Sequence, residues 1–184
     1  EIAEMCRNGT LSEMKDKKET AQILRDHGWE PDVAKKVMRF DSRGNIMING
    51  TRGVQFVDES SDSLLSGFDE VMSEGGLTKE QVRDCKFTFT HFVPHEDTAH
   101  RGLSQLGPAS RRACLAAFLS AQPMILEPML AIEVRVPTDL IGNVSSVLQG
   151  KRGKVLDMQQ KGASSIVIGE VPAVETFDIS EKMR

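Results

Sequence analysis

The residues best suited to chemistry gather in one short stretch, PHEDTAHRGLSQLGPASRRA, from Pro94 to Ala113. It holds two of the chain's four histidines, an Arg-Gly pair, a Gly-Pro step and two adjacent arginines. With His91 just upstream, His95 and His100 invite a metal reading, because imidazole is a common zinc ligand. Geometry opposes it. Four residues of extended chain place His91 and His95 roughly 13 Å apart, and Pro94 blocks the helix that would bring positions i and i+4 together. No metal site is expected. Cys6, Cys85 and Cys114 lie far apart with no C-x-x-C pair. They point to reduced, buried, inert thiols rather than to a disulfide frame, a zinc site or a Cys-His nucleophile. The basic run GKRGK, Gly150 to Lys154, joins an expected helix to an expected strand, the reverse of the phosphate-loop context, and lacks that motif's spacing. It reads as a basic turn.

Charge remains. His100 and Arg101 precede a turn at Gly102, while Arg111 and Arg112 fall in the first turn of a helix that Pro108 is expected to start. Cations there oppose the helix dipole at a cost of about 0.3–1 kcal/mol. Two readings account for them. One is surface ion pairing with Glu96 and Asp97, worth little. The other is an anion site in which backbone N–H groups and arginines together hold phosphate. Spacing alone favours the ion pairs.

The elements that must position these residues follow from periodicity. The first forty residues read as helices, with LSEMKDKKETAQILRDHG capped by Ser12 and stopped at Gly28. A short strand, Ile46 to Ile48, lies between glycine turns that carry Arg43 and Arg52. From Asp58, a possible cap, to Glu74, the residues Leu64, Leu65, Phe68, Val71 and Met72 share one helical face, and Gly75-Gly76 ends it. KFTFTHF, Lys86 to Phe92, alternates as a strand with Phe87 and Phe89 on its buried side and His91 in the same parity. Beyond Pro108, Leu115, Phe118 and Leu119 form the expected buried stripe of a helix ending near Gln122-Pro123.

At LEPMLAIEVRVPTDL the pattern returns to alternation, Leu130, Ile132, Val134 and Val136 against Glu133 and Arg135, so a second domain is expected from about Pro128. Thr138 is the expected cap of a helix closed by Gly150. Strands at about Lys154 to Met158 and Ser165 to Val171 meet in a turn at Lys161-Gly162, and the final residues begin another helix. Strand, helix, strand, strand, helix is a ferredoxin-like unit without its last strand, so the chain is expected to be a piece of a longer one with an unpaired sheet edge.

The 184 residues suffice for one large or two small domains. No apolar run approaches the roughly 18 residues of a membrane span, and the start has no signal-peptide pattern, so a cytoplasmic protein is expected. A net charge of −4 excludes nucleic-acid binding by the surface as a whole, leaving only local contact.

HEDTAHRGLSQLGPASRRACLAAFLSAQPMILEP resembles the segment of the archaeal and eukaryotic translation elongation factor 2 family that bears the modified histidine diphthamide. There, His-x-x-x-x-His-Arg-Gly-x-x-Gln leads into a helix with paired arginines and then a Pro-x-x-x-Glu-Pro strand. DSRGNIMINGTRGVQFVDESSDSLLSGFDEVMSEGGL is similar to the family's preceding strand, Thr-x-Gly-Val-Gln turn and helix, and VLQGKRGKVLDMQQKG to its Arg-Gly hairpin. The likeness runs from about Asp16 to the C-terminus. Leu103-Ser104 stand where eukaryotic members read Gly-Gly, and Asp178 where a glycine commonly follows the family's Phe.

The resemblance implies an α+β chain. Residues 1–127 would be an N-terminally truncated fourth domain with the S5-like domain 2 fold, and residues 128–184 a C-terminally truncated, ferredoxin-like fifth domain. It implies no catalytic residue here, since GTP and Mg²⁺ would belong to a GTPase domain outside this chain. His100 would be the diphthamide position and His95 the other tip histidine, with Arg101, Gly102, Gln105, Arg111 and Arg112 as RNA- or ribosome-contacting residues. The implied partners are the ribosomal decoding site, tRNA, mRNA, ribosomal RNA and the diphthamide-forming enzymes, with no membrane. A stand-alone RNA-binding or ribosomal protein and a paralogous ribosome-associated GTPase are the alternatives; the histidine within His-Arg-Gly favours the diphthamide branch.

Overall fold

In a computed structural model, residues 1–12 and 15–183 are described. They form two compact units, Glu1–Pro123 and Met124–Arg184, and the whole is α+β. The first unit is ordered around β2 (Ile46–Asn49), whose IMI run is buried on both faces. It pairs antiparallel with β1 (Val37–Phe40) and parallel with β3 (Lys86–Phe89). A strand covered on both sides needs a continuous apolar run rather than alternation. Ile46 and Ile48 join Cys6, Leu11, Leu24 and Phe40 under α1 (Ile2–Arg7), α2 (Lys17–Asp26) and α3 (Pro31–Ala34), while Met47 points into a second cluster with Leu65, Phe68, Val71 and Met72.

That second cluster is built by α4 (Ser61–Glu74) and α5 (Leu103–Ser120), which pack on one another. The expected α4 stripe is buried as periodicity requires, and Phe68, 0% exposed, meets Phe87 edge to face at 5.6 Å. Truncating such a ring costs about 3–5 kcal/mol. Asn45, fully buried at the turn into β2, has its bonds satisfied. Its amide donates to Asp41 Oδ2 and to the Val82 carbonyl, each at 2.8 Å, and its Oδ1 accepts the Cys85 N–H at 3.1 Å. The β1–β2 turn is thereby tied to the entry of β3.

Several expectations need correction. Val37–Phe40 is a strand, so the first forty residues are not all helical. The first long helix begins at Lys17 with Asp16 in the cap position, not at Ser12; part of the expected helix, Glu13 and Met14, lies outside the described residues. Gly28 does follow its end in the left-handed region, at φ +83°. Ser60, not Asp58, precedes α4. β3 stops at Phe89. Pro108 lies inside α5, which starts five residues earlier at Leu103. The buried face of α5 is Gly107, Ser110 and Cys114, whereas Leu115 and Phe118 are half-buried and Leu119 is 44% exposed. The reason is close approach. A Cβ added at Gly67 of α4 would stand 2.5 Å from the Gly107 carbonyl oxygen, 2.5 Å from the Arg111 nitrogen and 2.8 Å from Ser110 Cβ. Backbones that near leave room only for small residues.

The second unit is a sheet in the order β4 (Met129–Pro137), β6 (Ser164–Pro172), β5 (Lys154–Lys161), all antiparallel, with α6 (Ile141–Gly150) supplying Val144 and Leu148 to its core beside Val167. A short 3₁₀ turn, Thr138–Leu140, precedes α6, so Thr138 is not its cap. Gly150 is its last residue, and Arg152, at φ +55°, makes the reversal. Asp178 has φ −114°, a backbone that needs no glycine, and leads into α7 (Ile179–Lys182).

Candidate functional site

The loop between β3 and α5 holds His95 and His100. Beyond Phe89, the Phe92 ring packs at 5.7 Å against Phe89, and the chain stays largely exposed from His95 to His100. Local hydrogen bonds shape it. Asp97 N–H donates to His95 Nδ1 at 3.0 Å, and Asp97 Oδ1 accepts the Ala99 N–H at 2.9 Å, capping a single 3₁₀ turn, Thr98–His100. His100 N–H and Arg101 N–H close that turn on the Asp97 and Thr98 carbonyls, at 3.1 and 3.0 Å. With Nδ1 accepting, the His95 ring carries its proton on Nε2. The turn brings the two rings together, centroids 4.5 Å apart at 60°. Spacing had offered no reason for His95 and His100 to touch, because the intervening turn depends on Asp97.

Arg101 does not face outward with them. Its side chain is 6% exposed; the guanidinium lies 3.9 Å from the Phe56 ring centroid. Nη2 donates to Glu59 Oε2 at 3.1 Å, and Nη1 donates to the His95 and Glu96 carbonyls at 3.2 and 3.3 Å. Phe56 and Glu59 are functional neighbours that local sequence could not reveal, lying more than forty positions upstream. Gly102, half-buried, occupies the N-cap position of α5 with φ −73° and ψ 169°, and a Cβ there would meet only Gln105 Oε1 at 3.7 Å. The turn therefore belongs to Thr98–His100, and the fold does not demand glycine at 102. Gln105 is exposed in the first turn of α5.

The arginine pair sits well inside α5, so the dipole penalty attached to a helix start at Pro108 does not arise. Neither arginine pairs with Glu96 or Asp97 among the described residues. Arg111 Nε approaches Glu70 Oε1 of α4 at 2.6 Å, close in distance without hydrogen-bond alignment, and Nη2 lies 4.0 Å from Glu74. Arg112 is exposed, with no ion pair among the described residues. An anion cradle made of arginines is thus not assembled: Arg101 and Arg111 are neutralised by Glu59 and Glu70, and the loop's own exposed charges are Glu96 and Asp97.

Other chemistry is not supported. Burial pushes the Cys6 thiol up to about 11, with the Asp41 charge adding to it, and also raises Cys85 and Cys114, so thiolate is disfavoured at all three. No group of three or more His, Cys, Asp or Glu among the described residues is placed to hold a metal ion. Arg152 in the basic turn is engaged by Glu127, at 2.6 and 3.1 Å, and by Glu175 at 3.1 Å. No helix among the described residues is long and apolar enough to cross a membrane.

Comparison with known proteins places this loop in a family context. Residues 9–122 match the family model described as Elongation factor G, domain IV, and residues 124–184 match Elongation factor G C-terminus. Elongation factor 2 of Cenarchaeum symbiosum is 67% identical over 183 residues, covering 100% of this chain and 25% of that protein. Elongation factor 2 of Desulfurococcus amylolyticus is 43% identical over 185 aligned positions, and that of Sulfurisphaera tokodaii 42% over 182, covering 100% and 98% of this chain. In both, the match is again 25% of the relative. The chain spans about a quarter of the length of the curated relatives it matches, and the likeness begins upstream of Asp16.

Proposed function

The chain belongs to the elongation factor 2 family, and from that premise we propose that it carries the part of a translation elongation factor that enters the ribosomal decoding site as tRNA and mRNA are translocated. The observation that carries this reading is the exposed His95–His100 pair at the turn between β3 and α5. Two imidazoles on a tight loop, with the Arg101 and Arg111 guanidiniums already neutralised and Arg112 without an ion pair among the described residues, supply shape and hydrogen bonding but no concentrated positive charge. Diphthamide at His100 would change that, adding a long arm with a cationic ammonium and a carboxamide. A-form RNA is read through its backbone, 2′-hydroxyls and shallow minor groove, contacts that carry little sequence information. That suits a factor that must act at every codon.

Residues His95, Gly102, Gln105 and Arg112 would lie against RNA, with Arg111 partly held back by Glu70. No bond chemistry is assigned to this chain. GTP and Mg²⁺ would be handled by the remaining three-quarters of the factor, and no phosphate-loop sequence occurs here. The test is His100→Ala in the full-length factor, expressed in a host that makes diphthamide. Frameshifting should rise several-fold while ribosome binding changes little, since one side chain contributes a small part of a large, charge-rich interface. Unchanged frameshifting would overturn the reading. Intact mass of the native factor adds a second check: an unmodified His100 in a competent host would point to a paralogue.

A further inference from the structure

Arg101 is the only buried arginine among the described residues, and a buried cation must be paired. Its partners come from two places in the chain. The loop's own His95 and Glu96 carbonyls take Nη1, while Phe56 and Glu59 reach it from the segment before α4. That segment is fixed from below. Val57 and Ser60 are 5% and 1% exposed, and Ser60 N–H donates to the Phe56 and Val57 carbonyls at 3.1 and 3.2 Å. Phe56 stands at φ +62°, a region that a bulky non-glycine residue occupies only when its surroundings hold it there. What holds it is the turn anchored by Val57 and Ser60, and the result is a ring whose centroid lies 3.9 Å from the guanidinium carbon. The TRGVQF run, otherwise without a role, leads directly into that arrangement.

We propose that Arg101 is a positioning residue: with Phe56 and Glu59 it latches the His95–His100 loop to the root of α4 and fixes the orientation in which the His100 ring is offered to the enzymes that modify it. The inference rests on the reading of His100 as the modified residue. The competing role, an outward-facing Arg101 on RNA phosphate, requires the latch to open and leaves Phe56 without its cation.

The test uses the full-length factor in a host with the modifying enzymes, as wild type and as Phe56→Leu, Glu59→Gln and Arg101→Lys. Two quantities are read: hydrogen exchange at the His100 and Arg101 amides, and the fraction of His100 converted, by intact mass, under limiting modifying enzyme. In Phe56→Leu and Arg101→Lys the two amides should exchange roughly tenfold faster, the effect of losing one partly desolvated cation–π contact. Amides within α4 and α5 should keep their wild-type rates, which a general loss of structure would not allow. A Phe56→Leu/Arg101→Lys double variant should show less than the sum of the two single effects. The converted fraction should fall in the same order as protection. Unchanged exchange at both amides in folded Phe56→Leu protein would overturn the latch, and faster exchange with full conversion would overturn its positioning role. If wild-type His100 is itself unmodified, the premise fails while exchange still decides whether the latch exists.

Discussion

Cys6 is 3% exposed, and burial, aided by the Asp41 charge and opposed by Arg7, raises its thiol to about 11. The unfolded thiol titrates near about 8.5–9, so between that value and about 11 the folded chain holds a proton that the unfolded chain has released. Stability is therefore full below that window and falls as pH rises through it, by about 3 kcal/mol. Urea unfolding at pH values on either side of the window should show the loss, and Cys6→Ala should flatten the slope while lowering stability throughout. A slope that persists in Cys6→Ala would assign it to other groups. At this scale the legible and illegible parts of the chain separate cleanly. The buried, inert character of Cys114 follows from apolar neighbours in sequence, whereas Cys85, expected to be buried, is only half-buried. The fate of Arg101 does not, because its burial is decided by Phe56 and Glu59, and no local pattern announces which exposed-looking arginine a distant aromatic will cover.

Helices α4 and α5 show why periodicity succeeded for one and failed for the other. In α4 the packing residues are large and apolar, so the 3.6-residue period is visible in Leu64, Leu65, Phe68, Val71 and Met72. In α5 the contact is made by Gly107, Ser110 and Cys114, and a stripe of small residues leaves no hydrophobic signature. Its start was equally obscured: Gly102 has no capping side chain, whereas Pro108 has the look of a first helical position. β1 was missed because four residues between Lys36 and Asp41, one of them Arg39, carry too little pattern; pairing with β2 makes them a strand. The crossing itself makes a sharp prediction. Gly67→Ala places a Cβ 2.5 Å from two backbone atoms of α5, and should cost about 1–3 kcal/mol or more by overpacking. Gly142→Ala in α6 meets nothing within 4 Å and should be neutral or stabilise by up to about 1 kcal/mol through helix propensity. Chemical denaturation of the two variants beside the parent chain checks both, and equal effects would remove the steric argument.

Across the molecule, the two units each have their own core: the first has two clusters split by its sheet, the second a single one around Leu148 and Val167. A defect in one core should stay there. In Gly67→Ala, hydrogen exchange should quicken in α4, α5 and β2 and remain at parental rates in β4 and β6; quickening in both units would show that they unfold together. The alternation of the second unit was readable in sequence because antiparallel strands covered on one face by α6 must alternate, while the ends of α6 were hidden, a 3₁₀ turn at Thr138–Leu140 before it and Arg152 in the left-handed region after it. The Gly67–Gly107 approach has a mechanical meaning as well. The His95–His100 loop is strung between β3 and α5, two footings that share one core, and behind the second footing two backbones meet with no side chain between them to compress. Such a mounting behaves as a stiff bracket, passing thrust received at His100 into the body of the unit with little give.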